Sequence, residues 1–458
     1  MTKAKETNNN IDQLRIPPHN IEAEQSVLGS LMIDESGANK VADILDAKDF
    51  YKNKHGLIYE AMLELYEKNE PIDLVSVANR LEEKGLLKDV GGNTYLTELV
   101  SSVPVATNIP FYAKTVAKKA TLRRLIDTAT KIVEMGYTDD NDIEKILDTA
   151  EQQLFEVSQQ CSRQDFIPIK NILEDAFNRI DELHKNKNAL RGVPTGFSSL
   201  DNVLAGLQKS DLVILAARPS LGKTTLALDI MRNVSVKSKQ PVAMFSLEMS
   251  KDQLVDRMLS SEAEVDLWKL RTGKLSDEGE YSDFQRLGDA MGLLSEAPIF
   301  IDDSGAANIM QIRAMARRLQ AEQELGLIIV DYLQLMESRN SSDNRVQEIS
   351  EISRSLKQLA RELGVPILAL SQLSRAVESR SPQIPRLSDL RESGSIEQDA
   401  DVVLFIYRED KENPETNKKN IAEIHIAKHR NGPVGKADLY FNERSVKFMD
   451  IDRTHEEN

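Results

Sequence analysis

Apolar side chains recur at helical spacing through the first third of the chain. Around residue 60 they fall on one helix face, made by Leu57, Ile58, Ala61, Met62, Leu65 and Tyr66. A longer helix is predicted from Asn108, a candidate N-cap, to Gly136, where a glycine favours a helix end. A second helix over 142–160 would pair with it as an antiparallel hairpin. We therefore expect an all-helical domain over 17–160, preceded by a polar, disordered tail at 1–16.

The segment 161–195 has the composition of a linker that carries one amphipathic helix. Its apolar stripe is made by Ile169, Ile172, Leu173, Ala176, Phe177, Ile180 and Leu183. Such a stripe has to be buried against another surface. That surface belongs either to the domain that follows or to a neighbouring subunit, and the pattern favours neither.

From residue 196 the pattern changes to short apolar and β-branched runs that alternate with helical stretches. Strands are expected at 212–217, 242–247, 298–302, 327–331, 366–371, 402–407 and 421–427, with a hairpin-like end at 437–449. This alternation predicts an α/β domain over 196–452, with a mainly parallel sheet flanked by helices and a short tail at 453–458. A chain of 458 residues is long enough to form both domains.

The stretch ARPSLGKTT, which ends at Thr225, joins the first predicted strand to a helix, the setting of a phosphate-binding loop. Ala217 replaces the first glycine of the GxxxxGK(S/T) pattern, and a small side chain still suits the tight bend there. Backbone N–H groups at the helix start would face the phosphates, Lys223 would neutralise them, and the Thr224 hydroxyl would join a Mg²⁺ shell. We expect ATP and Mg²⁺ as cofactors, bound by Ser220, Gly222, Lys223, Thr224 and Thr225.

Three further polar residues follow predicted strands, at the sheet edge where α/β proteins bind ligands. Asp331 ends the strand of LIIVD and is a candidate metal carboxylate beside Thr224. Glu248, in FSLEM, is a candidate base for the attacking water. Gln372, in LSQLSR, could sense the γ-phosphate and signal to the next loop.

Cationic residues suggest two more roles. Lys428 and Arg430, in AKHRNGP, are candidates for a cation that reaches a γ-phosphate across a subunit boundary. One face of the helix predicted around residue 355 carries Arg354, Lys357 and Arg361, and the loop after the Gln372 strand carries Arg375, Arg380, Arg386 and Arg391. Neither segment contains an aromatic residue, so the nucleic-acid binding that we expect should depend little on sequence.

Composition restricts the class of protein. The net charge of −16 argues against a polyanion partner only weakly, because a ring can combine an acidic exterior with a basic pore. Apolar runs are too short to cross a bilayer, the N-terminus lacks a secretory signal, and Cys161 is the only cysteine. We therefore expect a cytoplasmic protein without a membrane segment, a disulfide or a zinc site.

Six motifs occur in the order ARPSLGKTT, FSLEM, IIVDYLQL, LSQLSR, DLRESGSIEQDADVV and AKHRNGPVG, after PPHNIEAEQSVLGS near the N-terminus. In this order the chain resembles the bacterial replicative DNA helicases of the DnaB type, over about residues 17–450. The resemblance implies a RecA-like ATPase in a hexameric ring around single-stranded DNA, moving 5′ to 3′, with an N-terminal collar that meets primase and a loader.

The resemblance also implies a role for individual residues. Lys223 and Thr224 would bind phosphate and Mg²⁺, Glu248 would be the base, Asp331 the metal carboxylate and Gln372 the coupling residue. Lys428 and Arg430 would act on the neighbour's nucleotide, and the linker helix would dock on the next subunit. DNA would contact Arg391, Glu392 and Gly394.

Two other functions fit the same ATPase core. One is a recombination or repair ATPase that forms filaments, against which the helical N-terminal domain argues. The other is an ATP-switched loader or scaffold that does not unwind DNA, against which Glu248 and the cationic segments argue.

Overall fold

The structure is a computed structural model that describes residues 16–34, 37–103, 108–137, 169–185, 190–277, 279, 281–305, 308–336, 345–413 and 415–451, with single positions between 143 and 157. The chain divides into two compact units, Met1–Pro168 and Ile169–Asn458. The predicted tails at 1–16 and 453–458 lie almost wholly outside the described residues. Among the described residues, no helix has the length and apolar character needed to cross a membrane.

The first unit is helical, as the pattern predicts. Its helices are α1 (Ile21–Leu31), α2 (Gly37–Val41), α3 (Asn53–Glu67), α4 (Leu74–Glu83), α5 (Gly92–Ser101) and α6 (Ile109–Gly136). Ile58, Ala61, Met62 and Leu65 of α3 are buried in their common core. Asn108 precedes α6, but its side chain makes no capping hydrogen bond. Most of the second hairpin helix, 142–160, lies outside the described residues, so the hairpin stays a prediction.

The second unit is built on one nine-stranded sheet. Its strands are β1 (Leu212–Ala217), β2 (Val242–Ser246), β3 (Ile299–Asp302), β4 (Leu327–Asp331), β5 (Ile367–Gln372), β6 (Val402–Tyr407), β7 (Ile421–His429), β8 (Gly435–Asn442) and β9 (Lys447–Asp450). The spatial order is β3-β2-β4-β5-β1-β6-β7-β8-β9. The first six strands in this order are parallel and the last three join antiparallel. The predicted mainly parallel sheet is confirmed.

Helices cover both faces of this sheet. The α-helices described in the second unit are α7 (Ile169–Lys185), α8 (Ser198–Leu204), α9 (Lys223–Arg232), α10 (Lys251–Ala263), α11 (Leu267–Thr272), α12 (Asp283–Ser295), α13 (Ile309–Glu322), α14 (Arg345–Leu363), α15 (Gly394–Asp399) and α16 (Glu409–Glu412). Of these, α7 stands apart from the sheet cores, with its apolar side chains largely exposed. Alternate β1 side chains enter two cores: Val213 and Leu215 pack with α9, whereas Leu212 and Ile214 pack with α14. Burial on both faces explains the continuous apolar runs of these strands.

Different segments lie at the two ends of the parallel strands, which we call the carboxyl edge and the amino edge of the sheet. Ala217 pairs with Gln372 at the carboxyl ends of β1 and β5, and Ser246 pairs with Asp331 at those of β2 and β4. At the amino ends, the backbone N–H of Asp401 donates to the Leu212 carbonyl oxygen. The phosphate-binding loop therefore leaves the carboxyl edge, while the segment before β6 lies at the amino edge.

Candidate functional site

The loop between β1 and α9 has the backbone of a phosphate-binding loop. Gly222 precedes α9 with φ +99°, a region that other residues rarely adopt. A Cβ atom on Gly222 would come within 2.9 Å of the Phe448 ring. Glycine is therefore required here both by backbone conformation and by the close packing of the β9 side chain.

Asp331, Lys223 and Thr224 meet at the start of α9. The Thr224 hydroxyl donates to Oδ2 of Asp331 at 2.7 Å, and Nζ of Lys223 lies 3.2 Å from Oδ1 of Asp331. The Asp331 side chain is fully buried, and among the described residues its Oδ1 accepts no hydrogen bond. Lys223 and Asp331 therefore form an ion pair whose geometry is not that of a hydrogen bond. A buried carboxylate oxygen in this condition is suited to a cation or its water shell.

Glu248 and Gln372 complete the site from neighbouring strand ends. Oε2 of Glu248 lies 4.0 Å from Nζ of Lys223, and about half of the Glu248 side chain is exposed. Gln372 ends β5, where Gln334 donates to the Gln372 carbonyl oxygen and accepts from its N–H, both at 3.3 Å. A cavity of about 310 Å³ joins these groups and is lined by Ser220, Gly222, Lys223, Thr224, Thr225, Glu248 and Gln372, among others. The structure thus brings together the residues that the sequence predicts for the part of the ATP site supplied by a single chain.

Arg257 and Tyr332 also line this cavity, although neither was predicted from the sequence. Nη1 of Arg257, on α10, lies 3.5 Å from Oγ1 of Thr225. Burial lowers the pKa of Arg257, while the charge of Asp331 opposes this change. The Tyr332 ring lies under Nζ of Lys223, 4.2 Å from the ring centre, and burial raises the pKa of its hydroxyl. The position of Tyr332 directly after Asp331 was a sequence signal for a place in the site. Arg257 had no such signal, because one arginine on a helix resembles any other in the sequence.

These residues fit a nucleotide and a hard cation. The cavity combines backbone N–H groups at a helix start with the side chains of Lys223 and Arg257, which suits phosphate oxygens. Among the described residues, no group of three or more His, Cys, Asp and Glu side chains could hold a metal ion. A Mg²⁺ held by Thr224 and Asp331 would therefore need phosphate and water oxygens to complete its shell.

Comparison with known proteins decides the family. The sequence profile of the DnaB-like helicase C terminal domain matches residues 192–450, and that of the DnaB-like helicase N terminal domain matches residues 16–118. The chain belongs to the DnaB-like replicative helicases. It is 50% identical to the replicative DNA helicase DnaC of Bacillus subtilis over 440 residues, 96% of each protein. It is also 50% identical to the replicative DNA helicase DnaB of Geobacillus stearothermophilus over 444 residues, 97% of each.

Solved structures agree with this assignment. A DnaB-like replicative helicase, 35% identical, superimposes with a TM-score of 0.77 and covers 94% of this chain and 100% of its own. A separately solved ATPase domain, 38% identical, gives a TM-score of 0.59 and covers 63% of this chain and all of its own. The chain is therefore an ATP-dependent replicative DNA helicase, and the recombinase and scaffold alternatives are set aside.

The two cations expected to act in trans lie at the other edge of the helicase sheet. Val403 pairs with Lys428 near the start of β6, and the backbone N–H of Arg430 donates to the Asp401 carbonyl oxygen. Strand β1 separates this edge from the phosphate-binding loop by roughly 17 Å, at about 3.3 Å per residue. The structure does not bring Lys428 and Arg430 to their own chain's phosphate-binding loop. Burial, and then the charge of Arg430, lowers the pKa of Lys428.

The proposed DNA-binding residues occupy two places. Arg354 and Arg361 are exposed on α14. Arg391 and Glu392 belong to a 3-10 segment, Leu387–Ser393, and Gly394 begins α15 directly afterwards. Lys357, also on α14, differs: its Nζ donates to Oδ2 of Asp401 and to the Ser210 carbonyl oxygen. Its long side chain bends to the amino edge because two carboxylates, Asp211 and Asp401, are buried there.

Proposed function

We propose that the chain acts as a homohexameric ring that moves 5′ to 3′ on single-stranded DNA and hydrolyses ATP between adjacent subunits. Each subunit would hold the nucleotide on its own loop, with Lys223 on the phosphates and Glu248 orienting and deprotonating the attacking water. Thr224 and Asp331 would hold Mg²⁺, which neutralises charge on the phosphates when bound. Gln372, bound through its backbone to Gln334, would report the γ-phosphate to the loop that follows β5.

One observation supports the shared-site proposal: the phosphate-binding loop lies at the carboxyl ends of the parallel strands, whereas Lys428 and Arg430 lie at their amino ends. A cation must lie beside the γ-phosphate to stabilise the transition state, and a strand length separates Lys428 and Arg430 from their own loop. In a ring with head-to-tail contacts, one subunit's amino edge can face the next subunit's carboxyl edge. Lys428 and Arg430 would then complete the neighbour's site.

The linker helix supports the ring. Ile169, Leu173, Phe177 and Ile180 line one side of α7 and are 57–73% exposed in the single chain. An apolar stripe of this size is suited to burial on a neighbouring subunit. We infer that α7 docks there, as the resemblance implies.

DNA and protein partners follow from the same proposal. The DNA backbone would be contacted by Arg354, Arg361, Arg391, Glu392 and Gly394. Lys357 would instead act through its contact with Asp401.

The solved helicase with a TM-score of 0.77 is described together with its interactions with primase. We propose primase and a helicase loader as partners of the N-terminal unit. We also propose the cytoplasm as the location, because a bacterial replicative helicase acts on DNA there.

Strand displacement tests the function as a whole. The substrate is a labelled forked duplex with a 5′ single-stranded arm, in the presence of ATP and Mg²⁺. The native chain should displace the strand, and Lys223→Ala should not, because phosphate binding loses its cation. Displacement only from a fork with a 3′ arm would refute the polarity.

Mixed rings test the shared site. Glu248→Gln and Arg430→Ala rings should each lose ATPase activity by about 10²-fold or more. When the two variants are mixed and reassembled, some interfaces regain both an intact Glu248 and an intact Arg430, so activity should partly return. Absence of rescue at every mixing ratio would refute the trans role of Arg430.

A further inference from the structure

A five-residue segment, 397–401, connects the proposed DNA loop to β6 and contacts both trans cations. It contains the end of α15, whose first residue is Gly394, together with Ala400 and Asp401. The DNA loop 391–394 therefore continues into it without a break. We call residues 397–401 the connecting segment.

The connecting segment holds Lys428 and Arg430 by different groups. Nζ of Lys428 donates to the carbonyl oxygens of Glu397 and Gln398, the latter at 3.3 Å. Nη1 of Arg430 donates to Oδ1 of Asp401 at 3.2 Å, while the Arg430 side chain stays 54% exposed. Both cations proposed for the neighbour's nucleotide are thus positioned by the same five residues.

The same segment is bound to α14, the helix that carries Arg354 and Arg361. The Ser353 hydroxyl donates to Oδ2 of Asp399, and Nζ of Lys357 donates to Oδ2 of Asp401. The Leu212 N–H also donates to Oδ2 of Asp401, at 2.8 Å. Asp401 is 3% exposed, so its charge is balanced by these buried contacts rather than by water.

We propose that the connecting segment couples DNA binding to ATP hydrolysis on the neighbouring subunit, with Asp401 as the positioning residue of Arg430. A shift of loop 391–394 or of α14 on DNA moves Glu397, Gln398 and Asp401, and with them the two cations. Because a transition-state cation acts only within a narrow range of positions, a small displacement changes the neighbour's rate strongly. This inference rests on the trans role of Arg430 proposed above.

Asp401→Asn tests the inference, because asparagine keeps the shape and one acceptor oxygen but removes the charge that orients Arg430. DNA-stimulated ATPase activity should fall about 10-fold or more, while single-stranded DNA and nucleotide bind with unchanged dissociation constants. Ser353→Ala, which cuts one contact between α14 and the segment, should leave the DNA-free rate unchanged and lower the DNA stimulation. Undiminished DNA stimulation in both variants overturns the proposal.

Mixed rings separate positioning from a general structural defect. Asp401→Asn mixed with Glu248→Gln should regain activity, since some interfaces pair an intact Glu248 with an intact Asp401 and Arg430. Asp401→Asn mixed with Arg430→Ala should not, because every interface then lacks a positioned arginine. Rescue in this second mixture shows that Asp401 acts on its own chain's site and overturns the proposal. If Glu248→Gln and Arg430→Ala themselves fail to complement, the shared site is refuted, and the inference with it.

Discussion

Arg257 places a guanidinium beside the phosphate-binding loop, where the charges of Asp331 and Glu248 only partly offset the effect of burial. It is half-buried on α10, its pKa is lowered by burial, and its contact with Thr225 is a long one at 3.5 Å. A cation in such a position gains a strong partner when phosphate oxygens enter the cavity. We therefore propose Arg257 as a nucleotide-binding residue in cis, distinct from the cations proposed to act in trans.

Arg257→Gln should weaken ATP binding about 10-fold, which corresponds to about 1.4 kcal/mol and is typical of one lost charged hydrogen bond. Fluorescence titration with a labelled ATP analogue measures the dissociation constant. Lys251→Gln is the matched control, because Lys251 lies on the same helix but is 65% exposed and faces Asp303. Equal affinity of the two variants would contradict the assignment.

Asp211 is a buried carboxylate at the amino edge of the sheet, close to the carboxylate of Asp401. Burial, and then the charge of Asp401, raises its pKa from 3.8 to about 6, although Lys357, His429 and Arg430 oppose the shift. Between these two pH values the folded chain binds the proton more tightly than the unfolded chain. The contribution of Asp211 to the free energy of unfolding therefore falls as the pH rises from about 4 to about 6, and the folded chain becomes less stable.

Asp211→Asn should remove this pH dependence. At pH 7.5 the variant should be more stable than the parent by about 1 to 2 kcal/mol, a value reduced from the full shift to allow for the remaining solvent contact. At pH 4 the difference should vanish, because Asp211 is then protonated in the folded parent. Thermal unfolding over this pH range measures it. Asp89→Asn, at an exposed carboxylate, should show no such pH-dependent gain.

At the scale of elements, the sequence predicted the groups that lie at strand ends. The buried parallel strands β1, β2, β4 and β5 consist mainly of apolar residues, so a polar residue at or just after the end of the apolar run is conspicuous and lies at the carboxyl edge. Glu248, Asp331 and Gln372 are all found at that edge for this reason. The ends of buried strands were thus the most informative positions of the sequence.

Helical residues were less predictable because spacing along a helix does not fix where a long side chain ends. Arg354, Lys357 and Arg361 share one side of α14 by spacing, yet only Lys357 reaches the carboxylate of Asp401. That buried partner directly precedes β6, 44 residues further along the chain. Arg257 was missed for the same reason, since its relation to the phosphate-binding loop arises only when α10 packs on α9.

The linker helix gives a prediction at this scale. Leu173→Gln combined with Phe177→Gln should leave the thermal unfolding of each unit almost unchanged, since both side chains are exposed in the single chain. The proposed hexamer should dissociate at higher protein concentration than that of the parent, because each apolar side chain buried in an interface contributes about 1.5 to 3 kcal/mol. Sedimentation velocity measures this. His184→Gln, an exposed polar position on the same helix, is the control, and an intact ring in the double variant would refute docking through this stripe.

For the whole molecule, the net charge is negative, although DNA-binding proteins commonly carry a positive one. The chain carries a formal charge of −16, and the cations proposed to contact DNA are few and confined to α14 and the loop before α15. Binding must therefore depend on local phosphate contacts rather than on long-range attraction to the protein. Such contacts release counterions from the DNA, so affinity should fall as salt rises despite the acidic surface.

Arg354→Ala should reduce the slope of log affinity against log salt by about 0.7 for each phosphate contact removed from single-stranded DNA. The loss should be the same for oligonucleotides of different sequence, because a phosphate contact does not read bases. Fluorescence anisotropy at several salt concentrations measures both effects, with Lys419→Ala as an exposed control outside α14 and the DNA loop. An unchanged slope with a sequence-dependent loss would mean that Arg354 reads bases, and that α14 does not follow the backbone.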